Sequence, residues 1–349
     1  MYNVERYVGQ CLESLLNQTF QDFEVIIVDD CSTDSSFSIA ESFIPRFNNH
    51  LKLIKHKMNS GNCAVPRNTA MKFAKGKYIC FLDSDDLLIN NALEVFYGRA
   101  EQTQADVVYS EKYFLMESEQ LIETENITKK INYQISPTSY QRGSFVENVI
   151  IETDDLAKRL IDFYNVRYTW NVWTKFYRHD FLSENNIEFT DMLCEDVIFT
   201  FSCLFCAKTY VRIPDIVYVY RQRENSITTK NQNLYEQVRK FSNIIVIGIK
   251  SLNEFMKDRV FFVENPSFRY LIFDTFMREF TNYFIPIYKN VPSHVIEPIL
   301  KDVFSNNSSE NLTFMAYLFS CYNVHNLQLI QAQQEINQLR QQINDLKEV

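Results

Sequence analysis

Glycine is scarce in this chain, with 6 residues among 349. So few glycines argue against an all-β protein with many tight turns, because those turns often need backbone conformations that glycine adopts most easily. Glycine-rich phosphate loops are also absent, since the sequence contains neither a GxGxxG nor a Walker pattern. A phosphate group bound by this protein would therefore be held by a metal ion and by side chains.

A net positive charge, a cysteine framework and long apolar runs are missing as well. The formal net charge of −9 argues against a general nucleic-acid-binding surface. The 8 cysteines form no framework, and the one close pair, Cys203 and Cys206, has no second pair to complete a zinc site, so we expect reduced thiols. No signal peptide opens the sequence and no apolar run reaches membrane-spanning length, which predicts a cytoplasmic protein.

The most informative stretch that is present runs from Tyr78 to Asp86 and ends in three carboxylates. Its β-favouring residues predict a buried strand, and alternate side chains of an extended chain share a face, so Asp83 and Asp85 should point the same way. Two neighbouring carboxylates repel each other, so they are tolerated at the surface or where a cation neutralises them. By itself this DxD segment fits either a metal site or a solvated acidic turn.

A second apolar run, Phe23 to Val28, also ends in a carboxylate pair, Asp29 and Asp30. Helical patterns alternate with such runs along the first third of the chain, which predicts an α/β fold with a mostly parallel sheet and helices on both faces. Ligands of these sheets bind beyond the carboxyl ends of the strands. We therefore expect the two acidic strand ends to converge on one crevice.

Four segments stand in a fixed order: Tyr2-Asn3-Val4-Glu5, Val28-Asp29-Asp30-x-Ser32-x-Asp34, Asn59-x-Gly61 with Pro66-Arg67-Asn68, and Lys75-Gly76 through Asp86. Together they resemble the family 2 inverting glycosyltransferases of the GT-A (Rossmann-like) fold, over about residues 2 to 225. The resemblance implies metal-dependent transfer of a sugar from a nucleotide-sugar, with a UDP-sugar as the first choice, to a hydroxyl acceptor. The family context implies bacterial surface-polysaccharide assembly with a glycan or lipid-linked acceptor.

The resemblance also implies roles at the sugar donor. Asp85 would be a direct ligand of Mg²⁺ or Mn²⁺, with Asp83 in the metal shell or facing the ribose. Asp30 would accept a hydrogen bond from the nucleotide base, and Tyr2 would pack against that base. Arg67 would lie near the donor, whereas a surface salt bridge is the alternative for this residue.

Further roles follow from the second half of the resemblance. Arg221, Arg223 and Ser226 would donate hydrogen bonds to the diphosphate, as arginine and hydroxyl groups do for phosphate oxygens. Asp196 would be the catalytic base that takes a proton from the acceptor hydroxyl, and Glu195 beside it would tune or orient it. Alternatively, Glu195 and Asp196 would do no more than favour the positive N-terminus of the apolar helix that follows.

The sequence predicts three regions. The first is a GT-A domain at 1–225, with a nucleotide-binding half at 1–115 and an acceptor half at 116–225. A helical C-terminal subdomain at 226–322 and a coiled-coil tail at 323–349 follow. Apolar residues from Leu329 to Leu346 recur in steps of three and four, which predicts a short coiled coil. A homo-oligomer through 329–346 is a hypothesis, and packing of this repeat on its own body is the alternative.

One departure from the family shapes the remaining alternatives. Family members begin with an apolar strand just before the Tyr-Asn-x-Glu segment, whereas this sequence starts at Met1, so we expect a sheet without its first strand. A catalytically impaired, N-terminally truncated transferase that acts as an interaction module is therefore the alternative function. An aspartyl-nucleophile phosphatase is less well matched, because Leu87 stands where its motif has threonine or valine. We expect no nucleic-acid partner and no transmembrane segment, with peripheral association at the inner face of the plasma membrane as an option.

Overall fold

The computed structural model describes residues 1–116, 134–137, 146–165, 168–222 and 233–290. The helices are α1 (Val8–Leu16), α2 (Ser36–Ser42), α3 (Ala64–Phe73), α4 (Ala92–Thr103), α5 (Leu156–Tyr164), α6 (His179–Glu184), α7 (Asp196–Cys206), α8 (Leu234–Met256), α9 (Val260–Glu264) and α10 (Pro266–Asn290). The strands are β1 (Val25–Asp29), β2 (Leu51–Lys55), β3 (Tyr78–Cys80), β4 (Leu87–Leu88), β5 (Val107–Ser110), β6 (Lys112–Met116), β7 (Gln134–Pro137), β8 (Ile150–Ile151), β9 (Lys175–Arg178), β10 (Tyr210–Ile213) and β11 (Tyr218–Arg221).

The described strands form three sheets of mixed direction. Their strand orders are β1-β2, β3-β9-β5-β10-β8 and β4-β11-β6-β7. The pairs β1 with β2, β5 with β10 and β6 with β11 are parallel, and the others are antiparallel. This corrects the expected mostly parallel arrangement. The reason is that β9 enters the central sheet from far along the chain and lies antiparallel between β3 and β5.

The start of the chain lies along an edge of β1. The Met1 amino group donates to the Val28 carbonyl at 2.9 Å, and the Asp30 N–H donates to the Met1 carbonyl at 2.8 Å. Among the described strands, β1 pairs with β2 and β3 pairs with β9, and none pairs with both β1 and β3. Backbone hydrogen bonds from Met1 therefore satisfy part of this edge of β1.

Apolar spacing explains how the helices cover the sheets. In α1 the side chains of Val8 and Leu12 lie four residues apart on one face and are buried, and they pack with Val25 of β1. Around the central sheet, Phe96 of α4 stacks on Phe176 of β9 with ring centres 5.2 Å apart. These contacts fix the strands whose ends carry the acidic residues.

Three phenylalanines join the end of β3 to the start of α7. Phe81 contacts the rings of Phe189 and Phe199 edge-on, at 5.1 and 5.8 Å between centres. Phe189 and Phe199 stack at 4.0 Å. Because Asp83 follows Phe81 by two residues and Asp196 precedes Phe199 by three, this aromatic packing brings the two acidic segments near one another.

The described residues divide into two compact units. The first contains residues 1–232 and 254–276 with all three sheets and α1 to α7, and the second contains residues 233–253 and those from 277 to 290. No helix in the described part of the chain is both long and apolar enough to cross a membrane. The predicted tail 323–349 and oligomer segment 329–346 lie outside the described residues, and the predicted domain bounds stay predictions.

Candidate functional site

Two of the sequence motifs interlock through reciprocal hydrogen bonds. The Asn3 N–H donates to Ser32 Oγ at 3.1 Å, and the Glu5 N–H donates to Asp34 Oδ2 at 3.1 Å. In return, the Ser35 N–H donates to Glu5 Oε2 at 2.8 Å. Polar side chains at these spacings therefore fix the loop that follows β1 against the first residues of the chain.

Asp30 lies buried at the end of β1 and is held by several donors. His56 Nδ1 lies 2.8 Å from one carboxylate oxygen, and Asn59 Nδ2 and the Ser60 N–H donate to the other at 3.1 and 2.9 Å. Burial opposes ionisation, but the hydrogen bonds from His56 and Ser60 outweigh it and lower the pKa of Asp30. Tyr2 is 45% exposed, as a base-packing ring would be, and the roles of both residues stay predictions.

The loop after β3 has one buried carboxylate and two that are partly exposed. Asp86 is buried and accepts hydrogen bonds from Tyr218 Oη at 2.8 Å and from the Arg221 N–H at 2.7 Å. Burial and the neighbouring charges of Asp85 and Asp83 raise the pKa of Asp86. Asp83 and Asp85 are partly exposed, so this segment presents two carboxylates and uses the third to anchor itself to β11.

Arg221 braces the same loop from β11. Its Nε donates to the Asp85 carbonyl at 2.9 Å, and its Nη2 donates to Gln10 Oε1 at 2.6 Å. The guanidinium thus ties the backbone of the DxD segment to α1. Arg223 and Ser226, which the sequence assigns to the diphosphate together with Arg221, lie outside the described residues.

Arg67, in the first turn of α3, joins the DxD segment to the predicted base. Its Nη2 donates to Asp83 Oδ1 at 2.7 Å, while its Nη1 donates to Glu195 Oε1 at 2.6 Å and to Asp196 Oδ1 at 2.7 Å. We call these four residues the Arg67 cluster. The structure therefore brings together four residues that the sequence assigned to separate roles, and it does so through a guanidinium that is largely shielded from solvent.

The Arg67 cluster carries more negative than positive charge. Burial and the charge of Asp196 raise the pKa of Glu195 to about 8, although Arg67 opposes this shift. Burial likewise raises the pKa of Asp196, again against the effect of Arg67. The side chains of Asp83 and Asp196 are 33% and 22% exposed, so a cation or a reacting hydroxyl group can reach them. Such a cluster can take up a proton or attract a cation at neutral pH.

The carboxylates also fit the metal that the resemblance implies. In the described residues, no group of three or more histidine, cysteine, aspartate or glutamate side chains is arranged to hold a metal by itself. Mg²⁺ and Mn²⁺ in nucleotide sites use one or two protein carboxylates and take the remaining oxygens from phosphates and water. Asp85 and Asp83 supply that donor set, since both are oxygen ligands that remain partly exposed at one strand end.

The bridging position of Arg67 is the feature that sequence reasoning missed. The motif Pro66-Arg67-Asn68 placed a cation near the donor, but the partners Glu195 and Asp196 lie 128 and 129 residues further along. The one available signal was the surplus of acidic groups at the predicted strand ends, which calls for a nearby cation. No short-range spacing in the sequence indicates which residue supplies that cation.

Comparison with known proteins identifies the domain that carries these motifs. Residues 1–151 match the model of glycosyl transferase family 2. Residues 1–151 are a family 2 glycosyltransferase domain. This family 2 domain includes the DxD segment and Arg67, whereas Glu195 and Asp196 lie beyond the matched residues.

Two curated relatives extend the similarity past the family 2 domain. The uncharacterized glycosyltransferase EpsJ of Bacillus subtilis is 29% identical over 230 residues, which are 65% of this chain and 61% of EpsJ. The poly(ribitol-phosphate) beta-N-acetylglucosaminyltransferase TarS of Staphylococcus aureus is 30% identical over 270 residues, which are 74% of this chain and 41% of TarS. The chain thus spans less than two thirds of the length of either relative.

A solved structure confirms the predicted fold around the family 2 domain. The crystal structure of a Staphylococcus aureus TarS fragment in complex with UDP-GlcNAc is similar to this chain with a TM-score of 0.63. The two are 23% identical, and the similarity covers 87% of this chain and 78% of that fragment. The chain therefore has the GT-A fold.

Proposed function

We propose that this chain is an inverting glycosyltransferase that transfers a sugar from a UDP-sugar to a hydroxyl group during assembly of a cell-wall or cell-surface polysaccharide. The observation that carries the proposal is the Arg67 cluster, which connects a family 2 DxD segment to a carboxylate pair at the start of α7. The names of TarS and the ligand in its crystal structure support an N-acetylhexosamine-type UDP donor as the first to test.

In this proposal Asp196 is the base. It takes the proton from the acceptor hydroxyl group as the acceptor oxygen attacks the anomeric carbon opposite the departing diphosphate. Burial supports this role, because a raised carboxylate pKa makes Asp196 a stronger proton acceptor. Arg67 orients the carboxylate by donating to Oδ1, and Glu195 shares the same guanidinium nitrogen.

The donor end of the site has its own residues. Asp85 and Asp83 would hold Mg²⁺ or Mn²⁺, which when bound offsets the negative charge of the diphosphate. Arg221 fixes the backbone of Asp85 and so sets where that carboxylate stands. Tyr2 and Asp30 are proposed to contact the base.

Neither alternative function gains support. The relatives carry glycosyltransferase names, and the phosphatase motif would need a threonine or valine near the nucleophile at the position of Leu87. Leu87 is 1% exposed and belongs to β4, so its side chain is part of the core. Cytoplasmic location, peripheral membrane association and a glycan or lipid-linked acceptor stay predictions.

A donor panel with the full chain tests the function, and Asp85→Ala tests the metal site. We expect release of nucleoside diphosphate from one UDP-sugar in the presence of Mn²⁺, together with a thermal shift on donor binding. In Asp85→Ala this release should fall about 100-fold or more, because the metal would lose its direct ligand.

Asp154→Ala, which removes an exposed carboxylate outside the Arg67 cluster, is the matched control. Full turnover by Asp85→Ala would contradict the metal assignment. Failure of the wild-type chain to bind or turn over any donor of the panel would contradict the function itself.

A further inference from the structure

Lys175, the first residue of β9, is a fully buried cation that takes part in none of the ion pairs among the described residues. Its ammonium donates to the carbonyl oxygens of Thr169 and Asn171 at 2.8 and 2.5 Å and lies 4.5 Å from the centre of the Tyr109 ring. Tyr109 Oη in turn hydrogen-bonds Thr169 Oγ1 at 2.9 Å. Burying an ammonium without a paired carboxylate is costly, so its charge calls for a physical explanation.

The segment that this ammonium holds, residues 169–174, is also tied to α7. Thr200 Oγ1 donates to the Trp170 carbonyl at 2.6 Å. Thr200 lies four residues after Asp196, so both side chains lie on the same face of the helix. The 169–174 segment is therefore fixed between β9 and the helix turn that presents Asp196.

Val172 and Lys175 both influence the pKa of Asp196. Burial raises the pKa of Asp196, and besides Arg67 the backbone N–H of Val172 and the charge of Lys175 oppose this rise. Burial lowers the pKa of Lys175 to about 7, while the negative charge of Asp196 opposes that shift. Other titratable or charged groups that interact electrostatically with Asp196 include Arg67, Glu195, Asp83, Cys63 and Tyr177.

We propose that Lys175 is a positioning residue for Asp196. Its two hydrogen bonds hold the 169–174 segment, which Thr200 ties to the helix turn that presents Asp196. This inference rests on the proposed function, in which Asp196 is the base. It adds a second cation that acts on Asp196, besides the Arg67 guanidinium that bridges three carboxylates.

The first test compares Lys175→Met and Lys175→Arg in the full chain. We expect Lys175→Met to lower kcat about 10-fold to 100-fold, with a KM for the donor close to the wild-type value, because the donor end keeps its residues. The acidic limb of the kcat/KM profile should move to higher pH by about one unit, since losing a nearby positive charge raises the pKa of Asp196. In Lys175→Arg the acidic limb should lie close to its wild-type position, because arginine keeps the positive charge.

Val172→Pro provides a second variant that leaves Lys175 in place. Val172 begins a short 3₁₀ helix, and Asn171 before it has a ψ of 117°, which is close to the range that a residue before proline adopts. The change removes the Val172 N–H, whose hydrogen bond lowers the pKa of Asp196. We expect the acidic limb to move in the same direction as in Lys175→Met. Val172→Pro decides the question if Lys175→Met does not fold.

Arg159→Met is the matched control. Arg159 is also buried and donates to backbone carbonyls, those of Thr153, Leu204 and Ala207, none of which belongs to the 169–174 segment. Its loss should lower the melting temperature and leave the acidic limb of the folded enzyme where it was.

If the wild type is active and the acidic limb is unchanged in both Lys175→Met and Val172→Pro, the inference is overturned. Lys175 then only stabilises the fold. The proposed function fails in a different way, either through a wild type without transfer or through an Asp196→Asn variant that keeps full activity.

Discussion

Two arginines in this protein each pair with carboxylates from distant parts of the chain. One of the resulting clusters is buried, whereas the other is open to solvent. Arg212 on β10 pairs with Glu111 and Glu152, and all three side chains are at most 5% exposed. The remaining oxygens of this Arg212 cluster are also satisfied. The Val146 N–H donates to Glu111 and Tyr168 Oη donates to Glu152, each at 2.9 Å.

The Arg67 cluster also joins an arginine to carboxylates, but it is open and carries surplus negative charge. Three carboxylates share its guanidinium, two of them can be reached from solvent, and burial raises the pKa of Glu195 and Asp196. A cluster whose polar atoms are all paired contributes to the fold, whereas one with surplus charge can bind a cation or exchange a proton. A candidate site therefore differs from a structural ion pair in the pairing of its polar atoms and in its solvent access, not in its residue composition.

The largest effect that this comparison predicts is on transfer. Asp196→Asn should reduce the transfer rate by about 10² to 10⁴-fold, because an amide cannot accept the acceptor's proton. UDP binding, measured by calorimetry, should be retained since Asp196 is not assigned to the donor. Glu111→Gln is the control from the Arg212 cluster and should leave kcat of the folded protein near wild type. Loss of UDP binding in Asp196→Asn would remove this residue from the role of base.

The next effect concerns stability and belongs to the other cluster. Arg212→Met should lower the free energy of unfolding by about 3 to 5 kcal/mol, because it leaves two buried carboxylates without their cation. Urea denaturation measures this change. Combining Arg212→Met with Glu111→Gln and Glu152→Gln should recover a large part of the loss, since the uncompensated charges are gone. A single Arg212→Met variant as stable as wild type would mean that the Arg212 cluster does not stabilise the fold.

The smallest effect is a dependence of stability on pH within the Arg67 cluster. Burial and Asp196 raise the pKa of Glu195 from its ordinary 4.5 to about 8, so the folded state holds a proton that the unfolded state releases. The stability of wild type relative to Glu195→Gln should therefore be greatest below pH 4.5 and fall as pH rises towards 8. We expect a fall of at least about 1.4 kcal/mol, the free energy of one pKa unit.

Denaturation curves of wild type and Glu195→Gln at a series of pH values measure this difference. Glu188→Gln, which removes an exposed carboxylate ahead of the same helix, is the matched control. A difference that stays constant or grows with rising pH would show that Glu195 does not retain its proton in the folded protein.

Local patterns in the sequence determined the acidic strand ends and the helices that flank them. The apolar run predicted at Phe23–Val28 became β1 at Val25–Asp29, and the run that begins at Tyr78 became β3 with its carboxylates in the following loop. Polarity, β-branching and short spacing suffice for such elements because each is decided by neighbours a few residues away. The ordered motifs also indicated the family 2 domain, which the match over residues 1–151 confirms.

Tertiary structure alone decided which of these ends meet and what charge they carry. Strand pairing places β9 antiparallel beside β3. Hydrogen bonds join Arg67 to Asp196 and Lys175 to the carbonyl of Thr169. The bridge from Arg67 to Asp196 spans 129 residues, and no spacing in the sequence encodes it. The pKa of a carboxylate depends on desolvation and on charges within a few ångströms, and only the folded chain brings those together.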